Sequence, residues 1–463
     1  MAMSAEERQQ MLLTQPVEKI IPKMALPTIC SMLITSIYNM ADTYFVSQIG
    51  TAEASASGTS ASAAVGIVFS AMAMIQALAF MFGMGSGTNV SHLLGMGKRK
   101  EAEVYSAVGF FSAVAAGVLI AVLGNVFNEP LMRLLGATET AMPYALDYAR
   151  YIFLAAPFMM GSLSMNNLLR FQGLATYGMV GIISGGLLNM LLDPLLIFVF
   201  DMGIAGASIA TAISQLTSFV ILLVMCSTHA DAITIHPRNY RPTKQMYGKI
   251  LNNGLPSLGR QGIMSVSTSL LNNAAAVYGD PAIAAFAIVS RCLNFVNSTV
   301  VGFGQGFQPV CGFNYGARKY DRMHRAFSFS VKVTTIVLLV LGVAGFVFAE
   351  PVVTLFRRSD QEVIRIGTET FRVQILTVWT WGFITLSNMY TQAIGYGIRS
   401  TILAAARQGL FLIPTLLVLP NVWGLRGLEV CQPLADVLTL ALAVWMMTKV
   451  IRTQKAQMAK ETA

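Results

Sequence analysis

Twelve mostly apolar stretches dominate this chain, and a helix of about 20 such residues is what it takes to cross the roughly 30 Å of hydrocarbon in a bilayer. They centre on residues 24–46, 61–83, 105–124, 144–168, 176–200, 206–227, 250–277, 283–311, 327–349, 369–391, 400–421 and 428–450. Barrel strands would be shorter and alternating, and in lipid only helices and closed barrels satisfy their own backbone. The pattern predicts an all-α membrane protein with twelve transmembrane helices. A length of 463 residues would otherwise suggest about three soluble domains. With 55% hydrophobic and only 11% charged residues, there is too little charge to cover them. A soluble enzyme and a disordered scaffold are both excluded.

The net charge of +9 has its own explanation in where the bases fall. Twenty of the 31 Lys and Arg lie at the termini or in the loops on the same side as the termini, among them Lys98, Arg99, Lys100, Arg238, Arg241, Lys244, Lys249, Arg318, Lys319, Arg322 and Arg325. Five, Arg133, Arg357, Arg358, Arg365 and Arg426, lie in the loops of the other side. Basic loops stay cytoplasmic, so both termini are expected in the cytoplasm. No nucleic-acid partner is expected. The first 19 residues lack the basic, apolar and small-residue segments of a secretory signal, so the first span is expected to be retained. Cys30, Cys226, Cys292, Cys311 and Cys431 show no CxxC pair, which argues against a disulfide framework or a zinc site.

The two halves echo each other. Gly85 and Gly87 pair with Gly304 and Gly306, Gly97 with Gly316, and Glu129-Pro130 with Glu350-Pro351. Arg150 pairs with Arg372, Gln172 with Gln392, Pro194 with Pro414, and Gly206 with Gly427, in the same order and at nearly constant spacing. Six spans per half is an even number, so the copies enter the membrane in the same sense, as parallel repeats. The expected organisation is two pseudo-symmetric six-helix bundles: an N-terminal lobe over 1–228, a polar linker over 229–249 and a C-terminal lobe over 250–463. Such symmetry suits alternating access about a central cleft.

A carboxylate at mid-membrane costs ~2.5–3.5 kcal/mol on insertion scales, so a retained one suggests an ion or proton path. Asp42, Asp193 and Asp436 lie deep in spans. Asn189 and Asp193, four apart, share a helix face. If the lobes fold separately, Asp42 and Asp193 belong to one bundle. Brought together there they would share a proton, or hold Na⁺ with Asn189 and Thr211 supplying neutral oxygens. The competing reading makes Asp42 a cap of a broken helix and lets Asp193 bond the backbone freed by Pro194. Asp436, aligned with Gln215, reads as a polar contact between helices. Pro27 and Pro256 open the two halves, where a missing helix bond permits bending.

The segment NMADTYFVSQIG (39–50) after Pro27, the glycine-rich end of the second span running into LLGMGKRKEAE, and Gln172-Gly173 form one set of motifs. NMLLDP (189–194), GIAGASIAT (203–211) and SLLNNAA in the seventh span extend it across the chain. In this order they resemble the multidrug and toxic compound extrusion (MATE) family, in its bacterial MepA-like and DinF-like branch. The resemblance implies a fold of two V-arranged bundles and export of amphipathic, often cationic drugs driven by inward H⁺ or Na⁺. It also implies cation coupling at Asp42, Asn189, Asp193 and Thr211, and a bend at Pro27 when Asp42 is protonated. Some relatives place acids in the seventh and tenth spans, which here carry none. No cofactor is expected beyond the coupling ion, nor any partner beyond lipid and small drugs, and the expected state is a monomer.

Polar groups in spans must face a cleft or another helix. Asn39, Gln76, Asn166, Asn272, Asn273, Asn294 and Asn297 are the candidates for a substrate cavity, with Tyr38 and Trp381 as aromatic faces for cations. The 27 methionines suit a cavity that repacks around varied ligands, although most would simply pack helices or face lipid. Arg260, Arg291 and Arg407 keep open an anionic cargo, a lipid-linked oligosaccharide moved by a flippase of similar architecture. GxSxG and HExxH are absent and His92, His229, His236 and His324 lie in or near loops, which disfavours an intramembrane enzyme; the absence of repeated filter motifs disfavours a channel, and that of GxxxxGK[ST] an ATP-driven pump.

Overall fold

The computed structural model describes residues 4–48, 55–228, 232–356 and 360–462; Ile49, Gly50, His229, Arg357 and Arg358, named above, lie outside the described residues. In chain order the first helices are α1 (Ala5–Thr14), α2 (Val17–Gln48), α3 (Ser55–Gly95), α4 (Arg99–Val126), α5 (Asn128–Leu134), α6 (Met142–Phe171), α7 (Ala175–Pro194) and α8 (Gly203–Thr228). They are followed by α9 (Lys244–Ala276), α10 (Asp280–Gly316), α11 (Tyr320–Val347), α12 (Ala349–Phe356), α13 (Gln361–Ile375) and α14 (Thr380–Ala393). Helices α15 (Gly397–Ala405), α16 (Leu412–Trp423) and α17 (Leu425–Thr462) complete the chain. No strand occurs among the described residues.

Among the described residues ten helical segments are long and apolar enough to cross a bilayer: α2, α3, α4, α6, α7 with its extension to Val199, α8, α10, α11, α15 through α16, and α17. The remaining two expected spans are helical but depart from a simple apolar rod, for different reasons. Helix α9 is long enough, yet its middle reads GRQGIMSVSTSLLNN and is too polar. The tenth span, expected as one helix over 369–391, breaks between Ile375 and Thr380 into α13 and α14. Across the break the backbone tightens to bonds three residues back, Thr377 N to Gln374 O (3.4 Å), Val378 N to Ile375 O (3.3 Å) and Thr380 N to Thr377 O (2.9 Å).

Two further spans carry π-helical turns, Leu195–Val199 and Ala406–Leu410. Each lies beside a proline of the repeat, Pro194 ending α7 and Pro414 near the start of α16. Proline lacks the N–H that the helix needs and crowds the carbonyl four residues back, which for Pro414 is Leu410, the last residue of its π turn; the turn beside Pro194 lies after the proline instead.

The chain divides into two compact units. The first comprises Met1–Met11 and Cys30–Gly254, the second Leu12–Ile29 and Leu255–Ala463. Helix α2 therefore runs through both, changing unit just after Pro27, and α9 does so between Gly254 and Leu255, just before Pro256. Within the first unit α6 is the central helix, mostly buried, and its Tyr148, Ile152, Phe153, Met159 and Met160 anchor the main apolar cluster. In the second unit α14 takes that place, with Thr380 through Gly382 and Leu386 through Ala393 buried. Outward faces such as Leu119, Val122 and Leu123 of α4, or Ile336, Val340 and Val343 of α11, stay exposed, as lipid contact requires.

Small residues let the first helix of each half approach closely. In the first unit a Cβ on Gly85 of α3 would run into the carbonyl of Ile250 on α9, and one on Gly254 into that of Met81. In the second unit Gly302 and Gly306 of α10 lie as tightly against Ile29 and Ala25 of α2. Backbone angles correct one pairing of the repeat. Lys98 and Lys319 precede α4 and α11 with nearly identical backbone angles, so the left-handed Gly97 (φ 76°) matches Arg318 (φ 57°), not Gly316. The second copy holds a strained conformation with a non-glycine residue.

Candidate functional site

Asp42 on α2, Tyr148 on α6, Asn189 and Asp193 on α7 and Thr211 on α8 are all buried in the first unit. Small residues make this convergence possible. Ser218 of α8 donates to Gly181 O of α7 (3.0 Å), and a Cβ on Gly186 would lie 3.1 Å from the ring of Tyr38, which brings α2 onto α7. Asn166 of α6 packs on Gly178 in the same manner. Four of the expected coupling residues thus fall in one place. Asn189 Nδ2 donates to Asp193 Oδ1 (3.2 Å) and to Thr211 Oγ1 (3.4 Å). Asp42 and Asp193 act on each other electrostatically, and both act on Tyr148.

The phenol of Tyr148 was not singled out in the sequence. It is fully buried between Asp42 and Thr211, within reach of both, although its hydroxyl makes no hydrogen bond of good geometry. A tyrosine inside an apolar span reads as one more large apolar residue; only its polar tip hints at a role. Asp42 Oδ1, Asn189 Oδ1 and Asp193 Oδ2 are likewise buried without a hydrogen-bond partner. Leaving such an atom unmet costs about 1–3 kcal/mol, more for a charged group. No ion pair to either carboxylate occurs among the described residues. The donor set is all oxygen apart from the Asn189 amide, a chemistry that fits a proton or a hard monovalent cation.

Asp436 is the opposite case. Its Oδ2 accepts from Trp381 Nε1 (2.7 Å) and Thr377 Oγ1 (3.0 Å), and its Oδ1 from Arg407 Nε (2.8 Å) and Gln432 Nε2 (3.0 Å). The Arg407 guanidinium also sits 3.9 Å from the centroid of the Trp381 ring. Every lone pair that matters is engaged and the charge is balanced from within. One face of Trp381, expected to be open to a cationic ligand, is covered by this internal cation.

The other cavity candidates are scattered. Asn39, Gln76 and Asn297 are half-buried, as is Asn166, while Asn272, Asn273 and Asn294 are exposed on α9 and α10. The bonds that tie Asn189 to Asp193 and Thr211 involve none of them. Pro27 sits inside α2, and the next residue, Thr28, donates to Gly302 O (2.6 Å) and Ala25 O (2.8 Å). Arg291 is exposed and Arg260 half-buried.

A family model described as MatE matches residues 27–195 and 256–417, one stretch in each half. Multidrug export protein MepA of Staphylococcus aureus (strain MSSA476) is 28% identical over 412 residues, 89% of each chain. A crystal structure of MATE in complex with MaL6 superposes with a TM-score of 0.90 at 24% identity, covering 96% of this chain and 99% of that one. The outward-facing conformation of a multidrug resistance MATE family transporter of the MOP superfamily gives 0.89 at 24% identity, over 96% and 98%.

Proposed function

The chain belongs to the MatE family, and from that premise we propose that it is a multi-pass membrane transporter exporting chemically varied drugs, driven by a cation taken up at Asp42 and Asp193. It carries no catalytic machinery in this reading. It sits in a bacterial cytoplasmic membrane with both termini inside, takes amphipathic or cationic cargo, and works as a monomer. The coupling cation is H⁺ or Na⁺.

One observation carries the coupling assignment: two buried carboxylates on different helices interact with each other, have unpartnered oxygens, and have no basic partner among the described residues. A pair of like charges in low dielectric is costly, so any small cation that neutralises it is bound with a large free energy. The oxygens of Asn189, Thr211 and Tyr148 then shape how that ion is held. Uptake changes the charge at the end of α2 beyond Pro27, and a helix lacking a backbone bond there has a natural place to bend. A cation entering down its gradient and cargo leaving would then favour different conformations, which is the condition for exchange.

The anionic-cargo reading loses support. Arg407, one of the three bases it relied on, spends its charge on Asp436 and Trp381.

Ethidium movement in inverted membrane vesicles tests the proposal, with pH and Na⁺ gradients imposed separately. Transport dissipated by a protonophore alone identifies H⁺, and Na⁺-dependent transport at fixed pH identifies Na⁺. Turnover of a fluorescent lipid with no ethidium movement under either gradient would overturn the drug-export reading.

A further inference from the structure

The end of an α-helix leaves carbonyls with no intrahelical partner. Helix α1 ends at Thr14 and α2 begins at Val17, after Pro16, so the carbonyls of Leu12 through Gln15 need donors. The loop end of α10 and the first turn of α11 supply them. Arg322 Nη2 donates to Gln15 O (2.6 Å) and Leu12 O (3.4 Å), and its Nη1 to Thr14 O (3.3 Å). Asn314 Nδ2 donates to Leu12 O (3.2 Å) and Lys319 Nζ to Leu13 O (3.0 Å). The guanidinium is itself oriented, because Nε donates to Asn314 Oδ1 (3.1 Å), and Asn314, fully buried, is tied back to Val310 O (2.7 Å). Glu18, in the first turn of α2, lies within electrostatic reach of Arg322.

Further along, the Thr28 bond to Gly302 O and the close packing of Ala25 on Gly306 hold the next turns. The stretch Leu12–Ile29 is therefore fastened to the second unit along its length, while the same helix continues into the first unit as far as Asp42. The matching turn of the first unit has a lighter version. There Arg99 Nη2 donates to Ala232 O (3.2 Å), and the side chain of Gln172 accepts from Ile233 N (2.8 Å).

We propose that Arg322, held in place by Asn314, is a positioning residue of the transport cycle: it anchors the entry to α2 so that a change at Asp42 is delivered through that helix to the second unit. Loops rich in Lys and Arg serve orientation in a membrane through charge alone. A planar guanidinium distributed over three backbone carbonyls does more, since its fork geometry fixes direction as well as position. A lever with a loose end transmits nothing. The inference rests on the coupling role proposed for Asp42.

The test compares Arg322→Gln and Arg322→Lys in proteoliposomes loaded with ethidium, with ethidium affinity of the purified proteins and hydrogen exchange of residues 17–29 measured alongside. The expected result for Arg322→Gln is a fall of about tenfold or more in maximal rate with KM for ethidium within about twofold of the parent. Exchange in residues 17–29 quickens, and lysine, which keeps the charge but not the fork, restores part of the rate. A maximal rate for Arg322→Gln within about twofold of the parent would overturn the proposal, as would a loss of ethidium affinity in step with the rate. Asp42→Asn is run in parallel. If that variant keeps full cation-driven transport, the coupling reading fails, and the anchor then stands or falls on hydrogen exchange alone.

Discussion

Asp193 and Asp436 are both buried aspartates on transmembrane helices, and they differ in what surrounds them. Four donors, one of them a guanidinium, complete Asp436; Asp193 has a single amide donor and a second carboxylate in electrostatic reach. Breaking a buried ion pair by removing one partner costs about 3–5 kcal/mol, because the other charge is stranded. Arg407→Met should therefore lower the stability of the detergent-solubilised protein by that order, read by denaturant or thermal unfolding, and adding Asp436→Asn should recover most of it. Tyr148→Phe, by contrast, should leave folding intact. The Tyr148 hydroxyl, buried beside the acids without a well-formed bond, is placed to meet a bound cation or the carboxylate that holds it, and since such a bond to a charged group is worth about 1.5–3 kcal/mol, losing the phenol should raise the cation concentration for half-maximal transport by about tenfold or more, with KM for ethidium unchanged. An unchanged cation dependence would take Tyr148 out of the site.

At the scale of elements, most of this structure is legible in hydropathy, because lipid imposes length and composition on every span. The break between α13 and α14 is not: at it Thr377 donates to Asp436 of a distant helix, and threonine in an apolar run gives no warning of such a partner. The acid cluster was half legible. Asn189 and Asp193 are set by their spacing of four, and Asp42 by its cost in oil. Tyr148 and the covered face of Trp381 depend on partners that only folding supplies. The small residues of the repeat have a clear physical reason in the close crossings. Gly85→Ala would press a Cβ on the Ile250 carbonyl, which cannot yield as a side chain would, and should cost about 1–3 kcal/mol. Gly66→Ala, on the same helix with nothing within 4 Å, should be neutral or stabilising by up to about 1 kcal/mol. Comparing the two unfolding midpoints checks the claim; equal effects would mean the crossing is looser than drawn.

For the whole molecule the account reduces to linkage. If cation and drug favour different conformations, each must weaken the other's binding by the same factor. Alternating access then needs no covalent chemistry, and on the reading proposed above Asp42 of the ion site lies on α2, which, like α9, both compact units share. The most direct measurement is cation release on drug binding: purified protein in weakly buffered solution, titrated with ethidium while H⁺ and Na⁺ are followed. The account predicts release of about one cation per ethidium bound, and in Asp42→Asn ethidium binding that persists with no release. Equal release from the parent and from Asp42→Asn would contradict it.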